Sequence, residues 1–128
     1  MIVPHVGILV IEVKSHRSVN YLDDGRWKLG TSVPTSRGPF QQAKEAMYSI
    51  RGFLERKGVA TRGVPLVAAV WFTHVRARSI LPPSVEWHDW EVMDSEDLHS
   101  DPAQAVLRTL RLGIAHLASR TGAFRSGS

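Results

Sequence analysis

From Gly7 the chain runs through Ile8, Leu9, Val10 and Ile11 without a polar break, then meets Glu12, Val13 and Lys14. An apolar run of this length is the pattern of a buried strand. Side chains alternate along a strand, so Ile8, Val10, Glu12 and Lys14 share one face and Leu9, Ile11 and Val13 the other. The carboxylate and the ammonium thus emerge side by side where the strand ends. Ile2 and Val3 read as the end of a preceding strand. Pro4 and Gly7 punctuate a hairpin turn between the two. Residues 15–26 are polar, and Asp24-Gly25 forms a tight turn before a short strand at Trp27–Leu29. Pro39 opens a helix whose stripe is Phe40, Ala43, Met47, Ile50 and Leu54, and Gly58 ends it. Leu66–Phe72 is a second buried strand. The intervening helix makes it parallel to the first. Pro82-Pro83 breaks the chain, and the weak alternation over Trp87–Met93 predicts an edge strand. Asp101 and Pro102 start a last helix with the stripe Ala103, Val106, Leu107, Leu110, Ile114 and Leu117. The order predicts an α/β fold, a mixed central sheet flanked by helices. One domain is expected over residues 1–120, with a flexible tail at 121–128.

Composition narrows the chemistry. With no cysteine, disulfides, thiolate metal sites and cysteine nucleophiles are excluded. The six histidines fall in no zinc-like spacing, and neither a serine-hydrolase elbow nor a phosphate-cradling glycine loop occurs. No apolar run reaches the roughly 18 residues of a membrane span. The N-terminus has no basic leader, so a cytoplasmic protein without a membrane partner is expected. The formal charge of +4 permits a polyanionic partner without requiring one.

Glu12 and Lys14 are the candidate chemistry. A carboxylate at a strand end binds a hard cation through oxygen, and the Val13 carbonyl between the two side chains offers another oxygen. A neighbouring ammonium orients a water or offsets charge on a phosphate. By spacing alone, Glu-x-Lys is equally the pattern of an ordinary ion pair. Lys14, His16, Arg17, Lys28 and Arg37 concentrate in the first half of the chain and are candidates for phosphate contacts. Lys44 and Arg51 read as solvated helix charges. Trp27, Trp87 and Trp90 are candidates for base stacking, although core packing is the commoner role.

Residues 7–14 resemble the central motif of the nuclease-related domain, a branch of the restriction-endonuclease-like PD-(D/E)xK superfamily. Gly25-Arg26-Trp27 is similar to the family's glycine-tryptophan strand. Gly38-Pro39-Phe40-Gln41-Gln42 resembles its Asn-Pro-x-x-Gln helix start, with Gly38 in place of the Asn. Tyr48, Val67–Phe72 and Trp87–Trp90 agree in order with later family segments. The resemblance implies the endonuclease-like fold, with DNA as partner and Mg²⁺ or Mn²⁺ as cofactor. It also implies Glu12 and the Val13 carbonyl as metal ligands, with Lys14 and Gln42 as catalytic residues.

One part of the family pattern is not matched. Relatives carry an Asp on the strand before the Glu-x-Lys strand, and no acidic residue precedes Glu12. His5 falls in the turn and does not replace it. The Asp, the family's N-terminal helix and most of its first strand are expected upstream of Met1. The chain as given is therefore expected to be a weak or inactive nuclease. The alternative is a non-catalytic module of the same fold that binds nucleic acid or a protein. An uncovered sheet edge also predicts homodimerisation.

Overall fold

The computed structural model describes residues 1–3 and 6–126. Strands β1 (Ile2–Val3), β2 (Gly7–Lys14), β3 (Val19–Tyr21) and β4 (Trp27–Leu29) precede helix α1 (Pro39–Arg56). They are followed by β5 (Leu66–Phe72), a short helix α2 (Ala77–Ile80), a 3₁₀ turn (Asp89–Glu91), β6 (Val92–Met93), α3 (Ser95–His99) and α4 (Pro102–Ser126). The main sheet has the order β1-β2-β5-β6, and β3 and β4 form a separate hairpin. Strand β1 runs antiparallel to β2, with Ile2 opposite Ile8. Strands β2, β5 and β6 are parallel, with Glu12 beside Val70 and Lys14 beside Phe72. The fold is thus the mixed α/β sheet flanked by helices that the pattern predicts.

Every residue of β5 is buried, because helices cover both of its faces. Ala68, Val70 and Phe72 face α1 and pack with Phe40, Ala43 and Trp27. Val67, Ala69 and Trp71 face α4 and pack with Ala105, Val106 and Leu110. Trp27 sits at the centre of the first layer, ringed by Tyr21, Phe40, Phe72 and Trp87 at centroid distances of 5.0–6.4 Å. Its indole N–H donates to Glu86 Oε1 at 3.3 Å. Trp27 and Trp87 are therefore core residues, unavailable to stack bases.

Two glycines admit this packing. A Cβ on Gly38 would lie 2.5 Å from Trp27 Cδ1. One on Gly113 would lie 2.9 Å from Val67 Cγ2 and 3.0 Å from a Trp90 ring carbon, so this mid-helix glycine lets α4 approach β5 closely.

Other elements differ from expectation. The edge strand expected over Trp87–Met93 shrinks to Val92–Met93, because the Glu91 carboxylate folds back to accept from the His88 N–H and closes the 3₁₀ turn. The buried face of α4 is Ala105, Val106, Thr109, Leu110 and Gly113, while Ala103 and Leu117 are exposed. In α1 only the first part of the stripe is buried, and Ile50 is exposed. The backbone of residues 121–126 continues α4. Pro4, His5 and residues 127 and 128 lie outside the described residues. Lys57 caps α1 and Gly58 follows with φ of 78°, as the helix-stop pattern requires.

The C-terminal third is pinned by a charge network. Asp94 caps α3, accepting from the Glu96 N–H at 3.1 Å. Asp97, on the first turn of α3, accepts from Arg78 at 2.6 Å, Arg108 at 3.1 Å and the Asp94 N–H at 3.0 Å. Burial pushes its carboxyl up, but the Asp94 N–H and the two guanidiniums outweigh that and hold it below the usual range.

Candidate functional site

The parallel strands β2 and β5 end together at Lys14 and Phe72, and the Thr73 N–H donates to the Lys14 carbonyl at 3.0 Å. The carboxyl ends of parallel strands are where open α/β sheets place ligands. On the α1 face of this end, Lys14 Nζ lies 3.3 Å from Glu12 Oε1. The pair is half-buried, with 15% of the lysine side chain and 30% of the glutamate exposed. Strand alternation therefore sets the two charges on one face, as the sequence requires.

Further side chains line a groove with Glu12 by a separate route. Trp27 bridges to Thr35, which brings the 30–38 loop alongside β4 and delivers Arg37. Pro39 then starts α1, with no side-chain cap and no acid in its first turn. Glu12, Arg37, Gln42, Glu45, Ala46 and Ser49 line one open groove. Gln42, Glu45, Ala46 and Ser49 share a helix face by their spacing of three, four and seven. Among the described residues the Gln42 amide makes no side-chain hydrogen bond, so it stays available in the groove. Arg37 pairs with Glu45, Nε to Oε2 at 3.2 Å, and Gln41 Nε2 also donates to Glu45 at 3.2 Å. The hydrogen bond and charge of Glu45 hold the Arg37 proton more firmly than usual, and Glu12 adds to this. Arg37 in turn lowers the Glu45 carboxyl.

Of the residues singled out in the sequence, Glu12, Lys14, Gln42 and Arg37 converge. His16 does not join them. It packs against the turn at Gly30, where a Cβ would lie 3.3 Å from its ring, and its Nδ1 is buried without a hydrogen-bond partner. Lys28 is occupied by the Ser32 carbonyl at 2.9 Å. Arg17 lines a separate hollow with Tyr21 and Arg76. Sequence reasoning missed Glu45. Its position three residues after Gln42 on the same helix was the available signal.

A family model described as the nuclease-related domain matches residues 1–74, more than half of the chain. The chain belongs to the nuclease-related domain family. The matched part contains the β2 motif, the β3–β4 hairpin, α1 and β5, and so every residue of the Glu12 groove. The comparisons with curated proteins and with solved structures each gave no match.

The donors present in this nuclease-related domain are few for a divalent cation. Mg²⁺ takes six oxygens, keeping several waters beside one or two carboxylates. Glu12 and the Val13 carbonyl are the groups at hand, but Glu12 is paired with Lys14, and Glu45 is engaged by Arg37 and Gln41. Among the described residues no three His, Asp or Glu side chains gather as metal ligands. The described residues do not complete a Mg²⁺ site.

Proposed function

We propose that this nuclease-related domain binds nucleic-acid phosphodiesters, DNA first among them, in the Glu12 groove, and that cleavage by the described residues is weak. The observation that carries the reading is the convergence of Glu12, Lys14, Arg37 and Gln42 at the carboxyl end of β2. Lys14 and Arg37 offer cationic donors to a phosphate, and the Gln42 amide offers a neutral one. The uncapped start of α1 adds the positive end of an 18-residue helix dipole on the same side. Glu12 repels a phosphate unless a cation lies between them, which makes binding metal-responsive in this reading. In family relatives the bound Mg²⁺ supplies Lewis acidity toward phosphate and water. Here the ligand set for it is incomplete, so no cleavage step is derived.

The test is plasmid DNA incubated with Mg²⁺ or Mn²⁺, alongside fluorescence anisotropy on a labelled duplex. The expected result is salt-sensitive binding, weakened by Lys14→Ala and Arg37→Ala, with little nicking. Absence of binding overturns the reading. Rapid cleavage abolished by Glu12→Ala overturns the weak-nuclease part and assigns a working catalytic site. Self-association through the open edge of β2, beside the exposed Val13, belongs to the same proposal. Sedimentation velocity at rising concentration reads it.

A further inference from the structure

On the far side of α1 from the Glu12 groove, strand β5 has an uncovered start. Strand β6 pairs only with Val70 and Trp71, leaving the edge of Leu66–Ala68 open between α1 and α4. A cavity of about 150 Å³ lies there, lined in part by Lys44, His88, Trp90, Glu91, His116 and Arg120. That volume takes in about one six-membered ring with its donor edge, and the rest of a larger flat ligand lies in the open mouth.

The chemistry of this cavity is ordered by depth. Glu91 is 4% exposed, deeper than the other polar groups of the lining. Its Oε1 accepts from the His88 N–H at 3.1 Å, and Oε2 has no hydrogen bond among the described residues. Oε2 is not sealed from solvent, so it is open to a donor that enters the cavity. Flat rings form the wall. His88 and Trp90 are nearly parallel, at 8° and 5.5 Å between centroids, and His116 lies 4.5 Å from His88. At the mouth are two exposed cations, Lys44 and Arg120. A cationic ligand is disfavoured by that rim. A ligand with a donor edge, a flat body and an anionic tail matches all three levels.

We propose that this cavity is a guanine-binding site, with the Watson–Crick edge directed at Glu91, the base against Trp90 and His88, and the phosphate toward Lys44 and Arg120. Guanine presents two adjacent donors on that edge, which a carboxylate accepts. Adenine and cytosine each set a ring acceptor beside the amino donor, so the ionised carboxylate repels part of their edge. Stacking on the aromatic wall is indifferent to base identity, so selectivity rests on Glu91. The guanine comes from a free nucleotide or from an exposed base in a strand. The Glu12 reading is not needed for this site.

The test is calorimetric titration of the full chain without divalent cation, using GMP, AMP and CMP. A second arm uses a short oligothymidine strand with or without one central dG. GMP is expected to bind at least about tenfold more tightly than AMP or CMP. Glu91→Gln is expected to remove that preference while leaving the circular dichroism spectrum and melting temperature intact. Gln keeps an oxygen for the His88 N–H and removes a charge that burial already disfavours. Lys44→Ala is expected to weaken GMP more than guanosine. Preference in the GMP arm alone assigns a free nucleotide, and preference for the dG strand assigns a base in a chain. Equal or absent binding of guanine and adenine ligands in both arms overturns the proposal, as does a guanine preference that survives Glu91→Gln.

Discussion

Asp97 is the residue on which the C-terminal third depends. Its side chain is 6% exposed and carries Arg78 and Arg108 together. Asp97→Asn leaves two guanidiniums short of a partner and weakens the α3 start, at an expected cost of about 2–3 kcal/mol in urea unfolding. Its pKa is depressed in the fold, so its contribution is full above the unfolded value near 3.9 and is lost as pH falls through the lower folded value. Acid unfolding below about pH 4 is therefore expected to be shallower in the Asn variant. Gly38 is a different kind of single-residue constraint. The sequence suggested a substituted family Asn, whereas the structure gives a steric reason for glycine there. Gly38→Ala is expected to cost about 1–3 kcal/mol by driving the Trp27 indole from its seat, measured as a lowered melting temperature. The clash could not be read from the sequence, because it joins residues from the hairpin and the start of a helix.

At the scale of elements, the strands and helices with long periodic runs were legible. β2, α1, β5 and α4 each follow an unbroken apolar run or a stripe with a clear start signal. The short elements were not. β3 has three residues in a polar stretch, and its partner β4 is what makes it a strand. α3 is capped by Asp94 and Asp97, a spacing visible in the sequence but lacking the apolar stripe that marks a helix. For the site, Glu12 and Lys14 were legible because strand alternation acts locally. Glu45 was not, because its place beside Glu12 depends on how α1 crosses the sheet. The hairpin register gives a further prediction. Ile2 faces Ile8 and Val3 faces Gly7, so the third position before Met1 faces Glu12. A chain extended by a strand-forming segment with Asp at that position is expected to gain Mg²⁺-dependent nicking of plasmid DNA over the same extension bearing Asn. Equal activity of the two extended chains would count against the Glu12 groove as a cation site.

For the molecule as a whole, the charge of +4 is spread over several faces. Arg37 lines the groove and Lys14 pairs with Glu12 beside it, Arg17 and Arg76 share another hollow, and Lys44 and Arg120 stand at the third. A duplex laid on the Glu12 groove therefore meets few cations at once. The slope of log affinity against log salt is expected to be about −2, since each of the two phosphates neutralised contributes about −0.9. A much steeper slope means that the hollows are bridged by one continuous track. No helix among the described residues is long and apolar enough to cross a membrane.

The parallel pairing of β2 with β5 also governs how the chain reaches its native state. Ile8 meets Leu66 across more than fifty intervening positions, so the central ladder closes only after a large loop of chain has been gathered in. Helix α1 lies within that loop and forms through local bonds, whereas the ladder is non-local. Refolding from denaturant is thus expected to be slower than that of a helical bundle, in the intermediate range of mixed α/β domains. Until β5 arrives, the apolar run of β2 stands unpaired. The yield of refolded protein is expected to fall with rising concentration as these strands find one another first.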